Sequence, residues 1–300
     1  MTKFIFLRSL IREFSGLDIR IENLTVTFLA IMIAAALICF LVSEITRNYS
    51  QVDKLWSIMP LIYCIIALVT FPTVRILIMS ILVTIWSARL SFNFFRKGGY
   101  NIIPWNGEED YRWKNVRQRP ELKGRIRFGL FNFFFISFYQ HFLILLFCSP
   151  VLMVVKFRNT GPNIMDLIAA LLMLLFIVLE AIADNQMYRF QKMKRQNESV
   201  DGIFSRSLKN GFISEGLWRF VRHPNFASEQ AVWISFYLFG IAASGKWLNW
   251  TLTGPFLLVI LFLGSTALTE RISSSKYPGY ADYKKDVPKY FPRIFRSVMK

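Results

Sequence analysis

Long apolar runs separated by short polar and basic stretches set the pattern of this 300-residue chain. An α-helix needs about 20 apolar residues to cross a bilayer, and about seven runs approach that length. The pattern therefore predicts an all-α, polytopic membrane protein with about seven transmembrane helices, in which an amphipathic N-terminal segment (1–23) precedes one membrane domain (24–300). The predicted spans are 24–43, 55–71, 76–95, 128–155, 164–183, 226–244 and 248–268.

The composition supports this class and excludes several others. Hydrophobic residues make up 54% of the chain and charged residues 18%, whereas a soluble domain has roughly 25% charged residues. The three cysteines, Cys39, Cys64 and Cys148, lie inside apolar runs without the spacing of metal ligands, and the two histidines are His141 and His223. We therefore expect neither a disulfide framework nor a metal site.

The net charge of +17 follows mainly from the membrane topology. With seven spans, 27 of the 36 Lys and Arg residues lie on one side of the membrane and 8 on the other, while Arg89 lies inside a span. By the positive-inside rule, the basic side with the C-terminus is cytosolic and the N-terminus is outside. We expect a multi-pass protein of the plasma membrane in a bacterium or of the endoplasmic reticulum in a eukaryote, in contact with membrane lipids and not with nucleic acid.

Ionisable residues in and beside the spans gather at the cytosolic end. They are Arg89, Glu180, Asp184, Glu229 and Glu270, with Asp53 just before the second span. Charged side chains are costly in a bilayer and mark functional sites by default. Glu180 and Asp184 are one helical turn apart, as are Asn225 and Glu229, so each pair shares a helix face. The sequence therefore predicts a polar chamber that opens towards the cytosol.

The large cytosolic segments alternate basic and aromatic residues, as in the stretch from Trp105 to Arg117. Arginine binds phosphate through two nitrogens, and aromatic faces stack on planar rings, so the pattern is typical of a nucleotide-like cofactor site. Attachment to anionic lipid headgroups is the alternative. Acidic residues interleaved with the basic ones favour the cofactor.

Four ordered motifs resemble the steroid 5-alpha-reductase-like membrane proteins, especially their bacterial branch. The resemblance covers about residues 50–295, and the part most like a reductase covers about 128–295. The motifs are Glu109-Asp110-Tyr111-Arg112-Trp113, Glu180 to Gln186 with Asp184, Gly216 to Glu229 with Arg222-His223-Pro224-Asn225, and Tyr277 to Tyr283 followed by Phe291-Pro292.

The resemblance implies a seven-span fold with a cytosol-facing NADPH site and a lipid-like enone substrate. Asn225 and Glu229 match the family's nicotinamide-binding residues. The residues that match cofactor-binding positions are Arg112, Asp184, Arg222, His223, Asn225, Glu229, Arg271, Tyr280 and Tyr283. Glu180 and Gln191 stand where the animal steroid reductases have Asn and Arg, so the resemblance does not carry over their substrate.

Reduction of an enone needs a group that polarises the carbonyl while hydride arrives. We predict Arg89 or a protonated Asp53 as this catalytic group, because both lie near the cytosolic boundary of the spans. Trp56 and Trp86 are predicted to line a slot of sterol size for the substrate.

Two other functions remain open at this point. Isoprenylcysteine carboxyl methyltransferases and their relatives share an Arg-His-Pro motif and a tyrosine-rich tail, but they bind S-adenosylmethionine. The motifs around Asp110 and Asp184 and the greater chain length argue against them. A non-catalytic sterol- or lipid-binding membrane protein is the other alternative, motivated by Glu180 and Gln191.

Overall fold

The computed structural model describes residues 2–103, 105–196 and 204–292, with side chains from Arg20 onward. All regular secondary structure in these residues is helical, as the apolar runs predict. The α-helices are α1 (Thr2–Thr46), α2 (Gln51–Trp56), α3 (Ile58–Thr70), α4 (Val74–Arg96), α5 (Tyr111–Arg117), α6 (Arg125–Phe131), α7 (Gln140–Cys148), α8 (Pro150–Lys156), α9 (Ile164–Gln196), α10 (Ser205–Asn210), α11 (Pro224–Ser244), α12 (Thr253–Lys276) and α13 (Tyr280–Asp286).

Six helical stretches in the described residues are long and apolar enough to cross a membrane. This confirms an all-helical, polytopic membrane protein. The stretches are Arg20–Thr46, Gln51–Thr70, Val74–Arg96, Arg125–Lys156, Ile164–Gln196 and Trp250–Lys276. The first of them continues α1, which runs without a break from the predicted N-terminal segment into the first predicted span.

The predicted span 226–244 corresponds to α11, which is 21 residues long but is not among the six apolar stretches. Its first half carries the buried polar residues Ser228, Glu229 and Gln230, and Ile234 is its one exposed side chain. The helix packs against α8, α9 and α12. Because protein rather than lipid covers α11, it can carry polar groups that a lipid-facing helix cannot.

Prolines divide the second and fourth membrane-spanning stretches. Pro60 has no N–H to donate to the carbonyl of Trp56, four residues earlier, and α2 ends at Trp56. The hydroxyl of Ser87 donates to the Ser57 carbonyl at the break, at 2.6 Å. In the fourth stretch, Pro150 occupies the first position of α8. A backbone N–H at that position has no partner within the helix, so its absence from proline costs no hydrogen bond.

At the end of the bundle away from the predicted chamber, Arg75 joins α4 to α9. Its Nε and Nη2 donate to the two carboxylate oxygens of Asp166 at 2.6 and 2.9 Å. Its Nη1 and Nη2 also donate to the carbonyls of Thr160 and Gly161 at 3.1 and 2.7 Å. Asn163 lies in the same loop as Thr160 and Gly161, between α8 and α9, and its side chain donates to the Ala242 carbonyl at 2.8 Å. This loop therefore also contacts the end of α11.

Helix α12 approaches α7 at Gly254. A Cβ atom on Gly254 would lie 2.3 Å from the carbonyl oxygen of Leu146, which is closer than atoms can pack. Glycine is therefore required for the two helices to meet at this point. The adjacent Pro255 falls in the first turn of α12, where it starts the helix rather than bending it.

Candidate active site

Arg89 lies at the centre of a buried charged cluster formed by α4, α9 and α11. Its Nη2 lies 2.9 Å from Glu180 Oε1 and 3.9 Å from Glu229 Oε2, and its Nη1 lies 2.8 Å from Asp184 Oδ2. The side chain of Arg89 is 11% exposed and those of the three acids are each 6% exposed. The packing of the three helices therefore brings together four of the ionisable residues noted in the sequence.

Helical spacing explains why α4 and α9 each contribute more than one group. Glu180 and Asp184 are four residues apart on α9 and face α4 together. Asn93 follows Arg89 by one turn on α4, and its Nδ2 donates to Asp184 Oδ2 at 2.8 Å. Asn225, in the first turn of α11, reaches Asp184 Oδ1 from the other side at 3.5 Å. Asp184 thus connects all three helices.

Three tryptophan indoles surround the carboxylate of Glu229. Trp86 donates to Oε2 at 2.8 Å, while Trp233 and Trp56 donate to Oε1 at 3.1 and 3.5 Å. Trp86 and Trp233 are fully buried, and their rings meet edge to face at 4.9 Å. Trp56 is half-buried. Of the two predicted substrate-contacting tryptophans, Trp56 is therefore the one with free surface.

The cluster holds one guanidinium and three carboxylates, and several of its polar atoms are unsatisfied. Among the described residues, Arg89 Nε and Nη2, Glu180 Oε2 and Asn225 Oδ1 are buried without a hydrogen-bond partner. Arg89 Nη2 is within ion-pair distance of Glu180, but the two groups are not aligned for a hydrogen bond. Buried polar groups are normally paired, so these atoms give the cluster unused capacity to bind a further polar group.

Asp53, the other predicted catalytic residue, belongs to a separate group. Its Oδ2 accepts a hydrogen bond from the Trp113 indole at 2.9 Å, and it forms no ion pair with Arg89. Beside it, Arg112 binds both carboxylate oxygens of Asp110, each at 2.9 Å. Burial raises the pKa of Asp110, but the charge and hydrogen bonds of Arg112 outweigh it and hold that pKa below its usual value.

Arg222 and His223 tie the start of α11 to the C-terminal segment. Arg222 Nε donates to Glu270 Oε1 at 2.8 Å, and its Nη1 donates to the carbonyls of Lys284, at 2.9 Å, and Val287. His223 Nε2 lies 3.1 Å from the same Glu270 oxygen. Burial lowers the pKa of His223 despite this acid. Most of the hydrogen-bonding capacity of Arg222 is therefore used within the protein.

The predicted cofactor-binding residues of the C-terminal segment differ in exposure. Tyr280 is buried against Phe212, and burial raises the pKa of Tyr280 to about 12. The hydroxyl of Tyr283 donates to the Trp218 carbonyl at 2.5 Å. Arg271 is exposed and forms no ion pair with a described residue. Of the three, Arg271 has its charged group free for a ligand.

A family model described as a protein of unknown function, DUF1295, matches residues 39–287. The chain belongs to the DUF1295 family. The family includes steroid 5-alpha-reductase-like proteins, and the matched residues contain every candidate site residue named above. An uncharacterized protein of the fission yeast Schizosaccharomyces pombe is 40% identical over 265 residues, which cover 84% of this chain and 75% of the yeast protein. No solved structure matches the chain.

Sequence reasoning missed two residues of the site in this DUF1295 protein. Asn93 and Trp233 each lie four residues after a predicted site residue, Arg89 and Glu229 respectively, and each donates a hydrogen bond into the cluster. The i,i+4 spacing that linked Glu180 to Asp184 would have found both. Within the described residues, no group of three or more His, Cys, Asp or Glu side chains could hold a metal ion.

Proposed function

We propose that the protein is a membrane-embedded reductase that uses NADPH to reduce a carbon–carbon double bond conjugated to a carbonyl in a steroid- or lipid-like substrate. The proposal rests chiefly on the unpaired polar atoms of the Arg89 cluster. Two of them are guanidinium nitrogens of Arg89, which donate, and one is Asn225 Oδ1, which accepts. The carbonyl oxygen of an enone accepts hydrogen bonds, which the Arg89 nitrogens can donate. The carboxamide of nicotinamide donates hydrogen bonds, which Asn225 Oδ1 can accept.

The residues around the cluster also fit the phosphates of a dinucleotide. Arg271 is free of ion pairs with the described residues, and Arg112 Nη1 and Arg222 Nη2 donate no hydrogen bond within the described part of the chain. Lys97, just after the end of α4, is exposed. The protein around it partly desolvates its ammonium group, and this lowers the pKa of that group. Asp110 and Glu270 hold two of these arginines in place for a phosphate.

Four residues at this end of the bundle have roles in this proposal. When bound, NADPH supplies the hydride. Arg89 donates to the carbonyl oxygen and stabilises the negative charge that develops there, which is a strong effect in a buried, low-dielectric site. Glu229, whose oxygens the three indoles already occupy, positions Arg89. Asp53 remains a candidate proton donor, and the half-buried Trp56 lines the substrate slot.

The proposal places the cluster and the C-terminus on the cytosolic side, where NADPH is present. The basic loops lie at the same end of the bundle as Arg89, as the positive-inside rule requires. Topology reporters fused after residue 160 and after residue 300 should report opposite sides of the membrane, with the second in the cytosol. Reporters on one common side would contradict this orientation.

Thermal unfolding of the purified full-length protein in detergent tests the cofactor. We expect NADPH to raise the unfolding midpoint, because a ligand stabilises the state that binds it. Stabilisation by S-adenosylmethionine alone would indicate a methyltransferase instead. If neither compound shifts the midpoint, a non-catalytic lipid-binding protein becomes the better explanation.

An Asn225→Ala variant tests the position of the nicotinamide. Loss of one hydrogen bond to the carboxamide should weaken NADPH affinity about tenfold, measured from the midpoint shift across NADPH concentrations. Asn210→Ala, at an exposed asparagine of α10, is the matched control and should bind NADPH like the wild type. Equal affinity in all three proteins would reject the role of Asn225.

A further inference from the structure

A second cleft lies near the same end of the bundle, where α1 ends and α6 begins. It is open to solvent and has a volume of about 340 Å³. Its lining includes four basic side chains and two aromatic rings, from Arg47, Arg117, Lys123, Arg125, Tyr49 and Phe128. None of these residues belongs to the Arg89 cluster.

The cleft has a surplus of positive charge. Arg47 pairs with Glu44 at 3.1 Å and Arg117 pairs with Glu109 at 3.0 Å, whereas Lys123 and Arg125 form no ion pair with a described residue. Both acids have further partners, because Glu44 accepts from Asn132 and Glu109 accepts from the backbone N–H of Tyr49. The two unpaired cations therefore remain available for an anion.

Both paired arginines also contact Tyr49. Arg47 is the one non-glycine residue in the described chain with a left-handed backbone, at φ 58°, and its Nη1 also reaches the Tyr49 hydroxyl at 3.3 Å. Such strain persists where surrounding contacts enforce it, often at binding sites. Arg117 lies over the Tyr49 ring at 5.3 Å, and that ring packs edge to face on Phe128 at 4.6 Å.

Helix α5 separates this cleft from the proposed NADPH site. Arg112 and Arg117 lie five residues apart, which places them about 140° apart around the helix axis. Arg112 faces Asp110, beside Asp53, whereas Arg117 faces Glu109 and Tyr49. One short helix thus supplies an arginine to each of two different sites.

The cleft lies at the level where two spans leave the apolar layer of the membrane. Arg47 directly follows the span Arg20–Thr46, and Arg125 begins the span Arg125–Lys156. Below Arg125, the side chains of Ile126, Leu130 and Phe134 are 80%, 55% and 64% exposed. An amphipathic ligand could therefore place a charged group in the cleft and its hydrocarbon chains on this exposed surface.

We propose that this cleft binds the phosphate of an anionic phospholipid headgroup. Arginine forks and lysine ammonium groups are suited to phosphate oxygens, and basic pockets between membrane helices on the cytoplasmic side bind acidic lipids. The adjoining apolar surface favours a lipid over free phosphate, since only a lipid uses both parts. The site is independent of the proposed reductase function.

Binding is tested on the full-length protein in nanodiscs made of phosphatidylcholine alone or with phosphatidylglycerol added. We expect the anionic lipid to raise the unfolding midpoint and to remain bound in native mass spectra. In the double variant Lys123→Gln/Arg125→Gln, phosphatidylglycerol affinity should fall about 25-fold, from roughly fivefold for each lost charge. The control double variant Arg206→Gln/Lys209→Gln removes two exposed charges from α10 and should bind the lipid like the wild type.

Three outcomes would overturn the proposal. One is equal lipid binding by the two double variants. Another is stabilisation by inorganic phosphate as strong as that by phosphatidylglycerol, which would assign the cleft to a soluble anion. The last is equal stabilisation by the two nanodisc compositions. Because Lys123 and Arg125 are exposed, both double variants should fold, and their midpoints in phosphatidylcholine alone check this.

Discussion

Two buried arginines on the same helix, Arg75 and Arg89, differ in how their charges are satisfied. Fourteen residues separate them, about 21 Å along α4. Arg75 has one acid, Asp166, which it binds through two nitrogens, and backbone carbonyls take up its other donors. Arg89 has three acids, and two of its nitrogens lack a hydrogen bond.

This difference separates a structural ion pair from a candidate site. A buried charge is tolerated when its partner and hydrogen bonds compensate for the lost water, as they do at Arg75. At Arg89 the carboxylates outnumber the guanidinium and buried atoms remain unpaired. Such an arrangement costs stability, and proteins retain costly local arrangements mainly where function requires them.

The largest expected effect is at the satisfied pair. Asp166→Asn keeps the size of the side chain but leaves the buried Arg75 without a counter-charge, so the free energy of unfolding should fall by about 3–5 kcal/mol. Unfolding of the full-length protein in detergent measures this loss. Asp282→Asn, at an exposed pair with Lys285, is the control and should change stability by less than about 1 kcal/mol. A similar small change at Asp166 would show that the pair is not structural.

A smaller effect of opposite sign is expected at the unsatisfied cluster. Glu180→Gln removes one of three buried carboxylates, and the free energy of unfolding without ligand should rise by about 1 kcal/mol, because less charge is buried. The same variant should bind NADPH less tightly if the acid helps to orient Arg89. A loss of stability as large as that of Asp166→Asn would instead make Glu180 a structural residue like Asp166.

The smallest expected effect is on the pH dependence of stability at His223. It tests whether a group is functional merely because it lies at the Arg89 end of the bundle. Arg222, His223 and Glu270 lie at this end, and they bind one another: Arg222 Nε and His223 Nε2 both contact Glu270. Because burial lowers the pKa of His223, the unfolded chain takes up a proton more readily as pH falls through about 6.5. Stability should therefore decrease below that pH, by at most about 1.4 kcal/mol per pH unit.

His223→Gln should flatten this pH dependence in unfolding measurements between about pH 7 and pH 5. NADPH affinity at neutral pH should change less in this variant than in Asn225→Ala. An unchanged pH dependence would mean that His223 does not carry it. A loss of NADPH binding as large as that of Asn225→Ala would place His223 in the cofactor site.

Local sequence determined most of the helical architecture. Apolar runs located the membrane helices because the length of a span depends only on bilayer thickness and helix rise. The i,i+4 spacing placed Glu180 with Asp184 and Asn225 with Glu229, since helix geometry alone sets which residues share a face. The membrane status of 226–244 could not be determined in this way, because an apolar run does not show whether lipid or protein surrounds it.

Tertiary packing decided the partners of each charged group. The sequence places Arg89, Asp53 and the carboxylates of later spans at one end of the bundle. The structure pairs Arg89 with Glu180, Asp184 and Glu229, while Asp53 binds Trp113. Arg222 matched a cofactor-binding motif, and the structure directs it to Glu270 and the C-terminal carbonyls. These partners lie about 50 to 140 residues apart in the chain. Helical periodicity orients each residue about its own axis, but only the packing and rotation of whole helices determine which faces meet.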